Sequence, residues 1–244
     1  MARPPSFDTT ILLTGAPEFD TLAAALKGHN PELAVRPATT LSELEAIELS
    51  VLRCARLIAF STPVVVPRRI LDRLGFGAYN FHPGPPNYPG WLPSHFAIYD
   101  CAIAFGATAH RMIERVDAGP IVGVELFDIP PGAGVAALEQ LVFSRLAFLF
   151  WRLAKALATQ AAPLDELPIR WCGRKTTRKM IADLCDIPLD ISAQELRRRI
   201  AAFGAGGFGI HPTITLHGVG FRYVGPEASG QIDVPDSVPA QAAN

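Results

Sequence analysis

Residues 55–82 read ARLIAFSTPVVVPRRILDRLGFGAYNFH, and their alternation decides the class of fold. Ala55–Phe60 is a short continuous apolar run, the form of a strand buried on both faces, and Ala78–Phe81 is another. Between them Pro67–Leu74 supplies a helix limited by proline. Strand, helix and strand at this spacing predict a βαβ unit. The texture continues toward the N-terminus, with strands at Thr9–Gly15 and Leu33–Pro37 and helices at Thr21–Lys27 and Leu41–Leu52. Toward the C-terminus follow a Pro/Gly-rich loop at His82–Pro93, a helix at Ser94–Cys101, alternating strands at Ala107–Arg115 and Ile121–Ile129, and a long helix at Val135–Thr159. The expected architecture is α/β, a Rossmann-like, mostly parallel sheet.

Beyond Pro163 the texture changes to a basic stretch, Arg170–Lys179, a helix at Ser192–Phe203 opened by a Ser192/Glu195 capping box, and a hairpin at Thr213–Tyr223 with Gly218 in its turn. The expected organisation is a main domain over residues 1–163, a small C-terminal α+β appendage over 164–225 and a frayed tail over 226–244.

Composition bounds the function. The chain has 244 residues, 49% apolar and 18% charged, which demands a buried core and excludes global disorder. A net charge of -1 argues against coating nucleic acid through bulk charge. Cys54, Cys101, Cys172 and Cys185 form no C-x-x-C pair, so free thiols are expected rather than disulfides or zinc. Met1–Asp8 has no charged segment leading into an apolar one, and Val135–Ala158 is interrupted by Glu139, Arg145, Arg152 and Lys155. Neither a secretory signal nor a membrane span is expected, and a cytoplasmic location is.

The chemistry gathers between Tyr79 and Ile121. Asn80 and His82 end an apolar strand, two residues apart and therefore on one side of it, where open parallel sheets bind ligands. Thr108, His110 and Asp117 follow, and Asp117 precedes Ala118-Gly119-Pro120, a tight turn able to bring its carboxylate back toward His82. An amide, an imidazole and a carboxylate suit acyl transfer without a covalent intermediate. Asn80 can donate to an oxyanion, His82 can stabilise it or move a proton, and Asp117 can orient the imidazole or a water. Taken singly, each residue also reads as ordinary turn, surface or core chemistry. There is no G-x-S-x-G elbow, and the spacing of His82, His95, His110 and Asp117 matches no standard metal motif.

The runs Asn80-Phe81-His82-Pro83, Phe105-Gly106-Ala107-Thr108-Ala109-His110 and Val116-Asp117-Ala118-Gly119-Pro120-Ile121 resemble, in order and spacing, the N-formyltransferases that use 10-formyltetrahydrofolate. The resemblance extends over roughly residues 8–160 in element order. It implies the formyltransferase fold, a catalytic set of Asn80, His82 and Asp117, and support from His110 and Thr108. It also implies a folate pocket bordered by Val116, Ala118, Gly119 and Ile121. The family usually reads His-Pro-Ser-Leu-Leu-Pro followed by a Tyr/Arg/Gly stretch. Here Pro83-Gly84-Pro85-Pro86-Asn87 leads to Tyr88 and Gly90, with Pro89 where the arginine would stand.

For the acceptor, Asp190–Tyr223 resembles the start of the C-terminal region of methionyl-tRNA and sugar formyltransferases. One hairpin falls short of the roughly five strands of a tRNA-binding barrel. With the net charge of -1, this argues against transfer RNA. The expected reaction moves a formyl group from 10-formyltetrahydrofolate to the amine of a nucleotide-linked amino sugar. Tyr88, Trp91, Arg174 and Lys175 are candidate acceptor contacts, and the hairpin is a candidate homodimer surface. A formyltetrahydrofolate hydrolase and a non-catalytic folate or sugar-nucleotide binding protein are the rival readings.

Overall fold

Fully apolar strands need cover on both faces, and the sheet is arranged to provide it. The computed structural model describes residues 6–205 and 209–225. In it β1 (Thr9–Leu13), buried along its whole length, lies between β2 (Ala34–Ala38) and β3 (Ala55–Phe60), parallel to both. Next to β3 runs β4 (Ala78–His82), also parallel, with Phe60 opposite Phe81. The last two strands, β5 (Ala104–Arg111) and β6 (Ile121–Asp128), are antiparallel, which completes the order β2-β1-β3-β4-β5-β6. Pairing across β4 and β5 sets Asn80 opposite His110 and His82 opposite Thr108.

Helices cover the two faces. On one, α2 (Leu41–Glu45), α3 (Leu49–Cys54) and α4 (Arg68–Leu71) bury Leu44, Leu52 and Ile70 against Ile11, Leu13, Leu57 and Ala59. On the other, α6 (Val135–Thr159) packs beside α1 (Ala16–His29). It sets Phe150 5.9 Å from Phe60 and 5.2 Å from Phe81, ring centre to ring centre. The remaining helix of this part, α5 (Pro93–Tyr99), follows the Pro-rich loop.

Several boundaries depart from expectation for local reasons. The first helix begins at Ala16 rather than Thr21, because Pro17 and Glu18 both favour a first turn. The helix expected over Leu41–Leu52 breaks after Ala46, where extended Glu48 starts a new one and lets Leu44 and Leu52 reach the same core cluster. The strand expected over Ala107–Arg115 is β5, shifted to 104–111, because the chain leaves the sheet at Met112 to build the Asp117 turn.

Arg56, on β3, is completely buried. Its guanidinium donates to the carbonyls of Leu157 (2.8 Å), Gln160 (2.8 Å) and Ala162 (3.2 Å), and its Nε to that of Phe76 (3.2 Å). α6 has no basic residue in its last turn, so Arg56 supplies both the hydrogen bonds and the positive charge that a helix C-terminus favours.

The chain divides into two compact units, Met1–Arg178 and Lys179–Asn244. The boundary expected at residue 163 thus moves later. Residues 164–178 are hydrogen-bonded into the first unit, with Leu167 N–H donating to Ile121 O at 2.7 Å and Cys172 N–H to Pro86 O at 3.0 Å. The second unit holds α8 (Ala193–Phe203), capped by Ser192 as expected, and the hairpin β7 (Thr213–Leu216) and β8 (Val219–Arg222), turned through His217 and Gly218 at positive φ. The short helix α7 (Arg178–Cys185) was not expected. It is visible only as the buried pair Ile181 and Cys185, one turn apart. The tail expected over 226–244 lies outside the described residues. Among the described residues no helix is long and apolar enough to cross a membrane.

Candidate active site

Three segments converge at the end of β4: the strand tip itself, the Pro-rich loop at 83–93, and the turn at Asp117. His82, only 4% exposed, is fixed by the loop, its Nε2–H donating to Tyr88 O at 2.9 Å. That leaves Nδ1 as the ring position able to gain or lose a proton. It faces Asp117 Oδ2 at 3.6 Å. Burial lowers the His82 pKa, the Asp117 charge and the Tyr88 carbonyl raise it, and His110 lowers it. The net direction is downward, so the ring is neutral at pH 7.

Asp117 occupies left-handed backbone, at φ 49°. Gly90 N–H donates to its Oδ2 at 2.8 Å, while Oδ1 lies 3.3 Å from His110 Nε2. Burial alone would raise its pKa. The His110 ring, the fields of His82 and His110, and the Gly90 N–H outweigh burial and hold it at about 2. The carboxylate is therefore ionised inside a nearly dry site. Its turn is tight, since a Cβ on Gly119 would sit 1.8 Å from Arg111 O.

His110 is oriented by Arg111 O, to which Nδ1 donates at 3.1 Å, and presents Nε2 to the Asn80 amide nitrogen at 3.1 Å. Thr108, fully buried, donates its hydroxyl to Gly84 O at 2.7 Å and ties β5 to the loop. Asn80, His82, Thr108, His110 and Asp117 are thus brought together.

A cavity of about 710 Å³ opens beside this cluster, lined by residues 115–120 on one side, by 166–173 and Lys175 on the other, and by Pro89. Val116, Ala118 and Gly119 line it, whereas Ile121 is buried in β6 and does not. Lys175 lines it too, but exposed Arg174 does not. Tyr88 is turned into the core. Its ring packs 5.8 Å from Phe105, burial and Asp100 push its hydroxyl pKa up to about 12, and only its carbonyl reaches the site. Trp91 carries the Arg178 guanidinium 5.7 Å above its ring and accepts the Thr176 hydroxyl at its carbonyl, outside the cavity lining. His95 lies toward Glu139, 3.8 Å away, and does not join the cluster. Among the described residues no group of histidine, cysteine and acidic side chains is arranged to hold a metal ion.

One residue has a place in the site that the sequence does not assign to it. Trp171 places its ring 5.0 Å from that of His110 and 5.7 Å from that of His82, edge to face, and its Nε1–H donates to Gly119 O at 2.8 Å. In the sequence it is an aromatic within a basic loop, with no periodicity to link it to β4 or β5.

Residues 43–145 match the family model described as formyl transferase. A methionyl-tRNA formyltransferase from Moorella thermoacetica is 31% identical over 159 residues, which are 57% of this chain and 50% of that protein. The chain spans about half the length of that curated relative. A sugar N-formyltransferase from a Shewanella species has the same fold, with a TM-score of 0.69 at 15% identity over 88% of this chain and 95% of that one. So does an N-formyltransferase from Helicobacter canadensis solved with folinic acid and dTDP-3-aminofucose, with a TM-score of 0.61 at 16% identity over 87% of this chain and 85% of that one. Through its segment 43–145 the chain is similar to the formyltransferases, and its fold is that of solved N-formyltransferases.

Proposed function

We propose that the protein transfers a formyl group from 10-formyltetrahydrofolate to a primary amine, and that the amine belongs to a nucleotide-linked amino sugar. The convergence of Asn80 and His82 with Asp117, which lines the cavity, within a segment similar to formyl transferases, carries the reading. The Helicobacter relative, solved with both a folate and a dTDP-linked amino sugar, supports both ligand classes.

The side chains divide the work. The attacking amine forms a C–N bond to the formyl carbon and leaves negative charge on the formyl oxygen. The Asn80 amide, held beside His110 at 3.1 Å, donates to the oxyanion. His82 is engaged with Tyr88 O through Nε2, which leaves Nδ1 to carry a proton. Nδ1 takes the proton lost by the amine, and Asp117 stabilises the imidazolium so formed. The proton then passes to the folate nitrogen as its bond to the formyl carbon breaks and takes the electron pair. Val116, Ala118 and Gly119 border the donor.

Incubation with 10-formyltetrahydrofolate and a panel of dTDP- and UDP-linked amino sugars tests the assignment, with methionyl-tRNA as a parallel acceptor because the sequence relative is of that kind. Formylated sugar is the expected product, and His82→Ala is expected to slow its formation by about 10²–10⁴-fold. Formate release without acceptor would make the protein a hydrolase, and formylation of the tRNA alone would overturn the sugar.

A further inference from the structure

Asp117 stands in a conformation that residues other than glycine reach at a cost, and such a residue persists only where its surroundings hold it there. The carbonyls on either side of it show what does the holding. Gly119 O accepts from Trp171 Nε1 at 2.8 Å, and Val116 O accepts from Lys175 Nζ at 3.1 Å. Both donors lie on one strap of irregular chain, and they bracket the Asp117–Ala118 peptide like two fingers.

The strap is itself anchored to the opposite wall of the site. Cys172 N–H donates to Pro86 O at 3.0 Å, Thr176 N–H to Pro89 O at 2.9 Å, and the Thr176 hydroxyl to Trp91 O at 2.6 Å. Gly173, at φ 78°, approaches Asn87 O so closely that a Cβ would lie 2.3 Å from it. The loop anchored in this way also supplies the Gly90 N–H and the Tyr88 carbonyl that fix Asp117 and His82. The strap therefore links the two walls that must keep register for Asp117 Oδ2 to stabilise a proton on His82 Nδ1.

We propose that Trp171 and Lys175 are positioning residues, which hold the Asp117 turn against the imidazoles and set the distance over which its charge acts on His82. This rests on the reading of Asp117 and His82 as the proton-handling pair. The titratable groups facing the carboxylate are His82 on β4 and His110 on β5, and the strap presents to its turn an indole and the Lys175 ammonium.

The test uses the full chain as wild type, Trp171→Phe, Lys175→Met and the double variant. Trp171→Phe keeps a ring beside the histidines and removes only the N–H. The first readout is the titration of the Asp117 carboxyl, followed by carbon NMR. Its midpoint is expected to rise in each single variant and to rise further in the double. The second readout is turnover. kcat is expected to fall roughly tenfold in each single variant and about a hundredfold in the double, with KM nearly unchanged. A midpoint that stays where it is in all three variants overturns the proposal, whatever happens to melting temperature or rate. If the wild type formylates no amine, the formyl-transfer reading fails, and the titration alone still decides whether the strap positions Asp117.

Discussion

Asp117→Asn isolates the carboxylate charge with little else changed. Asparagine is nearly isosteric, tolerates left-handed backbone, and can still accept from Gly90 N–H. The structure sets the size of the effect. Asp117 titrates at about 2 in the fold against 3.8 for an unconstrained aspartate. A difference of that size corresponds to about 2 kcal/mol of stability at pH 7. For a chain of 244 residues this is roughly 4–8 °C in melting temperature. Because the folded pKa is depressed, the contribution is complete above 3.8 and is lost as pH falls through 2. About half of it should be gone by pH 3. The substitution also removes the attraction that supports the His82 proton, so the gap between the proteins should widen slightly as pH falls through the lowered folded value of His82, before it closes. Thermal melts of both proteins from pH 8 to pH 3 measure it. A gap that fails to close below pH 4 would refute the account of what holds the carboxylate ionised.

The remaining expectations are simpler. Arg56→Met strands the carbonyls at the end of α6, and chemical denaturation should show a loss above about 3 kcal/mol with no change confined to activity. Gly119→Ala drives a Cβ into Arg111 O, so turnover should fall about a hundredfold, while Gly28→Ala, with nothing within 4 Å, should be neutral or stabilising by about 0.5–1 kcal/mol in a thermal melt. Buried His82 resists the proton that the unfolded chain accepts below about 6.5, so stability should fall as pH drops from 6.5 toward the lowered folded value. His82→Gln should remove that part of the slope, and an unchanged slope between pH 7 and 5 would assign it to other groups.

The parallel core of the sheet could be read from apolar runs alone, since Thr9–Leu13, Ala55–Phe60 and Ala78–His82 bury nearly everything they contain. The end of β5 is harder to place, because apolar Met112 and Ile113 extend the run after the chain has left the sheet. The site divides in the same way. Asn80, His82, His110 and Asp117 lie at strand ends or in a tight turn, where local spacing carries information. Tyr88 looked like a contact residue, but its place depends on Phe105 and Asp100, which no local pattern links to it. Trp171 stands 61 positions from His110, and only tertiary structure joins them.

Arg56 has a consequence for the order in which the protein can be assembled. Its charge enters the sheet early in the chain, yet the carbonyls that receive it come about a hundred residues later, at 157–162. Until that late segment docks, closing the sheet would strand an unpaired cation, so neither half gains from closing first. On a ribosome the N-terminal strands must wait for the end of α6 to emerge. Residues 43–145, which carry the family likeness, contain the arginine but not β1 beside it or the helix end that neutralises it. The stretch that carries the likeness is shorter than the piece that encloses Arg56 with its partners.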